Sequence, residues 1–310
     1  MSSSSFSSVV VGVDGSDSSR AATAWAAGDA VRRGVGLRLV NAYLPPTLMY
    51  PAPGLMSIAE LTTSGRTCSQ QILDDESGKL SQNFPDLPVQ TALRDGHPVS
   101  VLERESQIAV LTVVGSHGTH QFSGALLGSV AARIAARAAS PLVVVRASAA
   151  GPVAELTGPI VVGVDNSRHA QAALGFAFDE AALRSVSVIA VHTWDDQPLH
   201  RAMAGMPVEV HFDDITNEEC RVLAGQLAGW TEKYPDVDVQ QRVLTGTPAA
   251  TLLDIASAPA VGEPAQLLVV GSRGRGGFTG LLLGSTSAAL IAHASCPVAV
   301  VRGLSRRNRK

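Results

Sequence analysis

Gly271, Gly274, Gly284 and Ser285 stand in the pattern G-x2-G-x9-G-S, inside the stretch GSRGRGGFTGLLLGSTSAAL, and Gly115, Gly118, Gly128 and Ser129 repeat that spacing. The chemistry such a pattern suits is anion binding. Glycines let a backbone turn tightly and leave N–H groups unobstructed by a Cβ. Successive bare amides form anion-binding nests. The Gly-Ser step then opens a helical pattern whose free N–H groups and dipole favour a phosphate, and the serine adds a hydroxyl donor. In the second loop Ser272 precedes Arg273, Arg273 and Arg275 flank Gly274, and Gly276 and Gly277 follow. A guanidinium fork matches phosphate oxygens. The first loop has His117 and Thr119 in place of the arginines, and His120 and Gln121 in place of Gly276 and Gly277. A charge-assisted contact is worth about 1.5–3 kcal/mol, so the second loop is predicted to bind an anion about tenfold tighter or more. The alternative is that the glycines only make turns and the arginines only face solvent.

Other anion machinery is excluded. No Gly-Lys-Ser/Thr follows either loop, and the three lysines, Lys79, Lys233 and Lys310, lie outside both, so a phosphate-gripping lysine is unsupported. The dinucleotide fingerprint would follow the first strand, whereas these loops follow the fourth. Asp14 and Asp165 end the first strands, in VGVDGS and VGVDNS, two residues after Gly12 and Gly163. A carboxylate there serves either a ribose hydroxyl or the N-cap of the next helix, and the two glycines let a ligand approach the strand end. His117 and His120, three apart without a third ligand nearby, do not make a metal centre. A magnesium ion riding on nucleotide phosphates fits better.

The elements that hold these loops are written twice. SVVVGVDGS (8–16) returns as PIVVGVDNS (159–167), LRLVNAYLP (37–45) as VSVIAVHTW (186–194), FPDLPVQTALRDGHP (84–98) as YPDVDVQQRVLTGTP (234–248), LTVVGSHG (111–118) as LLVVGSRG (267–274), and SPLVVVRAS (140–148) as CPVAVVRGL (296–304). The copies are offset by 151 residues at Asp14 and Asp165 and by 156 at Gly115 and Gly271, mostly through the insertion SAPAVGEPAQ. The period is domain-sized, so two duplicated domains are expected, over residues 1–147 and 158–304, joined by the linker at 146–159. In each copy five short Val, Leu and Ile runs without polar alternation predict strands buried on both faces. The helices between them are predicted in copy one over Ser18–Arg33, Ser57–Asn83, Pro98–Ser106 and Gly128–Ala138. The fold class is therefore α/β, with two doubly wound parallel five-stranded sheets in tandem. Ligands of such sheets sit beyond the strand carboxyl ends where strand order reverses.

Of the 310 residues, 45% are apolar and 16% charged, and the net charge is −3, which argues for packed cores and against nucleic-acid or membrane-surface partners. Cys68, Cys220 and Cys296 form no disulfide framework, which fits a reducing cytoplasm. No apolar run approaches the ~20 residues of a membrane span.

On VVVGVDGS and IVVGVDNS, both G-x2-G-x9-G-S loops, and the closing PLVVV and PVAVV strands, the chain resembles the universal stress protein family, ATP-binding type, over nearly its whole length. That resemblance implies strand order 3-2-1-4-5, Rossmann-like, and ATP or another adenine nucleotide in each domain. It places Asp14 and Asp165 near the ribose or the metal–phosphate end and the backbone at Ala42 and Thr193 against the adenine edge. It further implies pairing of the domains through their last strands, with a homodimer of the full chain left open, and a role in stress, dormancy or growth control. Three functions remain in competition: a nucleotide-occupancy regulator read by a protein partner, a slow ATP hydrolase, and a scaffold whose loops bind nothing.

Overall fold

The computed structural model describes residues 7–45, 58–118, 127–147, 157–194, 212–257, 263–274 and 283–303. The chain divides into two compact units, Met1–Ala154 and Glu155–Lys310. The first contains β1 (Ser8–Gly12), α1 (Asp17–Arg33), β2 (Gly36–Tyr43), α2 (Ile58–Asn83), β3 (Val89–Asp95), α3 (Pro98–Glu105), β4 (Ala109–Gly115), α4 (Ser129–Arg137) and β5 (Leu142–Val145). The second contains β6 (Ile160–Gly163), α5 (Arg168–Arg184), β7 (Val188–Trp194), α6 (Phe212–Lys233), β8 (Val239–Thr245), α7 (Pro248–Ser257), β9 (Leu267–Gly271), α8 (Ser285–His293) and β10 (Val298–Val301).

Strand order in the first unit is β3-β2-β1-β4-β5, and in the second β8-β7-β6-β9-β10. Every pairing between these neighbours is parallel. Each unit thus has the 3-2-1-4-5 order, with its reversal where the first strand meets the fourth. The central strands are β-branched and sealed: Val9, Val10 and Val11 in β1, and Ile160, Val161 and Val162 in β6, have no exposed surface. The expected absence of polar alternation fails at β3 and β8, which mix buried or half-buried with exposed positions. They are the outermost strands on their side, and one face meets solvent. Pairing of Val9 with Leu37 and of Ile160 with Val188 makes Leu37 and Val188 equivalent. That shifts the alignment of the second strands by two residues from the one suggested by sequence and makes His192 the equivalent of Asn41.

Both units bury an acid–arginine pair one turn apart on their first helix, Asp29–Arg33 at 2.6 Å and Glu180–Arg184 at 2.9 Å. A second network belongs to the first unit. Glu105 accepts from Arg38 Nε at 2.8 Å and from Arg94 Nε at 3.1 Å. The equivalent positions in the second unit carry Ile189, Leu244 and Ile255. Burial alone would raise the Glu105 pKa, but hydrogen bonds and charge from Arg38, then Arg94, hold it below the ordinary carboxylate value. A depressed folded pKa means the stabilisation is present above the unfolded value and disappears as pH falls through the folded one. Glu105→Gln is expected to cost about 2–3 kcal/mol near pH 7. Its deficit relative to the parent should vanish as the pH drops below about 4, as measured by chemical denaturation across pH.

Candidate functional site

Each loop is built from the end of the first strand, the first turn of the next helix, and the glycine segment after the fourth strand. Ser16 and Ser167 are the N-caps, accepting from Ser19 N and Ala170 N at 3.1 Å. Asp14 and Asp165 are therefore not the caps. Each turns one carboxylate oxygen onto the N–H two residues ahead, Ser16 N or Ser167 N, at 3.0 Å. The other oxygen faces the glycine loop. A Cβ on Gly118 would lie 2.8 Å from Asp14 Oδ2, and one on Gly274 would lie 2.6 Å from Asp165 Oδ2.

Close approach, not left-handed backbone, explains the loop glycines. Among the described residues the positive-φ glycines are Gly15, Gly34, Gly96 and Gly246, none of them in the loops. A Cβ on Gly115 would sit 2.6 Å from the Ser18 carbonyl carbon, and one on Gly271 would sit 2.8 Å from His169 Cβ. These two positions let β4 and β9 pass against the first turn of α1 and α5. Gly12 and Gly163 leave room for Leu102 and Leu252, at 3.3 and 2.9 Å from the missing Cβ. Gly128 and Gly284 are N-caps of α4 and α8 with extended backbone and no side-chain cap, so the first N–H groups of both helices lack a capping side chain. Their own N–H groups close the loop on Ser116 O at 2.8 Å and Ser272 O at 2.9 Å.

In the second unit these pieces enclose a cavity of about 700 Å³ at the carboxyl end of the sheet. Its walls include Gly163, Asp165, Thr193, Gly271, Arg273, Gly274, Gly284 and Ser285, and its volume is within the range of small-molecule sites. Ser272 is not in the wall. It is 1% exposed, with its hydroxyl 3.4 Å from His169 Nδ1. Arg275, Gly276 and Gly277 lie outside the described residues. In the first unit Gly12, Asp14, Gly115, His117, Gly118, Gly128 and Ser129 keep the same order around the loop, and Ala42 stands near the end of β2, paired with Arg94. There His117 Nδ1 meets Ser116 Oγ at 2.9 Å, and the His117 carbonyl accepts from Ser16 Oγ at 3.3 Å. Among the described residues, no group of three or more His, Cys, Asp or Glu side chains could hold a metal ion.

Two further residues of the wall carry no signal in the sequence. His192 is 4% exposed, and its Nδ1 lies 2.7 Å from the Val164 carbonyl, so that nitrogen carries the proton. Its Nε2 lies 3.1 Å from Glu219 Oε2, on α6. An imidazole between two oxygen acceptors makes both bonds only when it or the carboxyl holds an extra proton. In the first unit Asn41 donates the same bond, to Val13 O at 2.8 Å, and among the described residues no ion pair matches that of His192 with Glu219. Only strand register brings His192 and Glu219 together, and no local motif could have signalled it.

A universal stress protein family model matches residues 5–146 and again 157–302. The universal stress protein Rv2005c of Mycobacterium tuberculosis is 36% identical over 298 residues, covering 95% of this chain and 96% of that one. Rv1996 of the same organism is 34% identical over 315 residues, covering 95% and 94%. The crystal structure of a universal stress protein from Archaeoglobus fulgidus superposes with a TM-score of 0.69 at 20% identity, covering 96% of this chain and 98% of that one, a likeness of fold. Two matched copies over most of the chain, on the strand order and paired glycine loops just described, make this chain a tandem member of the universal stress protein family.

Proposed function

We propose that the chain is an adenine-nucleotide-binding regulatory protein. ATP occupies the crevice of each unit, more tightly in the second, with magnesium carried by the phosphates. The observation that carries this reading is the second-unit cavity. Its walls bring together the uncapped start of α8, Arg273, Asp165 and Thr193, the last near the end of β7. Amides and a guanidinium suit phosphate, and a strand end suits the edge of a base. In this reading occupancy orders the loops and changes the surface offered to a protein partner in the cytoplasm, so a differential affinity for two loop states does the signalling. A homodimer of the full chain fits the same scheme.

Hydrolysis is the second reading, with Asp165, whose second carboxylate oxygen faces Gly274, as its candidate carboxylate. Acid extraction of gently purified protein should release an adenine nucleotide, and titration with millimolar ATP should give measurable heat. Empty extracts with flat calorimetry would overturn binding. Turnover with magnesium that is lost in Asp165→Ala while binding persists would move the protein into the enzyme class.

A further inference from the structure

Three arginines converge beside the second glycine loop, each the chain neighbour of His169 or of a residue that touches it. Arg168 precedes His169 itself. Arg302 precedes Gly303, whose N–H donates to His169 Nδ1 at 2.9 Å. Arg273 follows Ser272, whose hydroxyl is 3.4 Å from the same nitrogen. Backbone packing is close here: a Cβ on Gly303 would lie 2.9 Å from the Arg168 carbonyl oxygen. Among the described residues neither Arg168 nor Arg273 has a carboxylate partner, and Arg273 Nε is shielded from solvent without a hydrogen-bond acceptor. Arg168 also opens α5, which has no acid in its first turn, so a cation stands where the helix dipole disfavours one.

His169 does not offset this charge. Burial, then the charges of Arg273, Arg168 and Arg302, lower its pKa, against an opposing pull from Asp165. It stays neutral at pH 7, and since Nδ1 accepts from Gly303, its proton sits on Nε2 as one more donor. The first unit keeps the geometry without the charge. Ser18 replaces His169 and meets Ser116 Oγ at 3.1 Å. Asp17, paired with Arg20, stands for Arg168, and His117 stands for Arg273. Arg146 alone keeps its sign at the position of Arg302. Three cations in one unit correspond to one cation and one anion in the other.

We propose that the second unit carries an anion subsite, formed by Arg168, Arg273 and Arg302 around His169, that takes the outer phosphates of a polyphosphate ligand and is missing from the first unit. The inference rests on the nucleotide reading above for the identity of the ligand, but not for the anion chemistry. Arg273 is the member of the cluster that walls the cavity, so it links the crevice at the start of α8 to the charge of Arg168 and Arg302, which lie outside that wall. The second crevice then ranks ligands by phosphate number, and the first does so weakly.

The test uses the full chain carrying Gly128→Glu, so that only the second crevice reports, with ATP, AMP and inorganic tripolyphosphate as probes in calorimetry at two salt concentrations. ATP should bind at least about tenfold tighter than AMP, and tripolyphosphate should displace ATP. Replacing Arg168 and Arg302 by alanine together should weaken ATP by about tenfold or more for each arginine removed while leaving AMP within about twofold. The salt dependence of ATP binding should flatten in that variant. Arg168→Lys with Arg302→Lys should recover part of the preference through retained charge. An ATP-to-AMP ratio unchanged by the alanine pair overturns the subsite and leaves nucleotide binding standing. Tripolyphosphate binding that depends on the two arginines, with neither nucleotide bound, supports the subsite and removes the nucleotide reading instead.

Discussion

Gly284→Glu should strip most of the nucleotide from the full chain, and Gly128→Glu should remove the smaller share. At position 284 the added carboxylate begins at the N-cap of α8, where no side chain occupies the first amides. It competes for the donors a phosphate would use, and it sets a negative charge beside Arg273. The added Cβ itself fits, with Arg273 Cα and the Ser272 carbonyl oxygen at 3.4 Å, ordinary van der Waals contact, so folding should survive. Removing two charge-assisted hydrogen bonds predicts a fall in second-site affinity of about 100-fold or more. At position 128 the same change is tighter, 3.0 Å from Ser116 O and 3.2 Å from His117 Cα, but it removes a loop that has His117 in place of an arginine. Nucleotide per chain after acid extraction, with calorimetric titration of both variants, separates the sites. Equal losses would mean that the arginine difference does not set the affinity.

Gly271→Val and Gly115→Val should destabilise their own units before any question of binding arises. The helix backbone stands where the new side chain begins: His169 Cβ, carbonyl carbon and oxygen at 2.8 to 3.1 Å for Gly271, and Ser18 carbonyl carbon and oxygen at 2.6 and 2.8 Å for Gly115. A rotamer change cannot relieve an overlap with backbone, so the strand end and helix must part. The expected cost is about 3 kcal/mol, which for a unit of this size lowers its melting midpoint by about 5–10 °C. Thermal unfolding should show one perturbed transition and one near parental. A glycine needed only for ligand approach would instead leave melting unchanged and weaken nucleotide alone.

The glycines of the motif thus have separate roles that its spacing merges. G-x2-G-x9-G-S announces a loop in which side chains are unwelcome, and it does so twice, which is why the two loops after the fourth strands were legible; the strand order came from the family resemblance that the motif helps to carry. The pattern does not say what would collide with a side chain. For Gly271 it is the first turn of α5, for Gly274 the Asp165 carboxylate, and for Gly284 ordinary contacts that leave a helix start open. Asp165 shows the same limit. Its place at a strand end marked it, but only the fold assigned one oxygen to Ser167 N and turned the other to the loop. His192 and Glu219 are 27 residues apart on a strand and a helix, and the two-residue shift in register decides that His192, and not its neighbours, occupies the Asn41 position.

By itself the order of residues determined the duplication, the buried parallel sheets and the loops that end them, because β-branched runs, glycine spacing and helix starts act over a few residues and need no distant partner. Tertiary structure decided which residues face one another. His169 gathers three arginines from three separate stretches, Arg38 and Arg94 close on Glu105, and His192 meets Glu219. Each of these depends on the distances between elements, which sequence neighbours cannot encode.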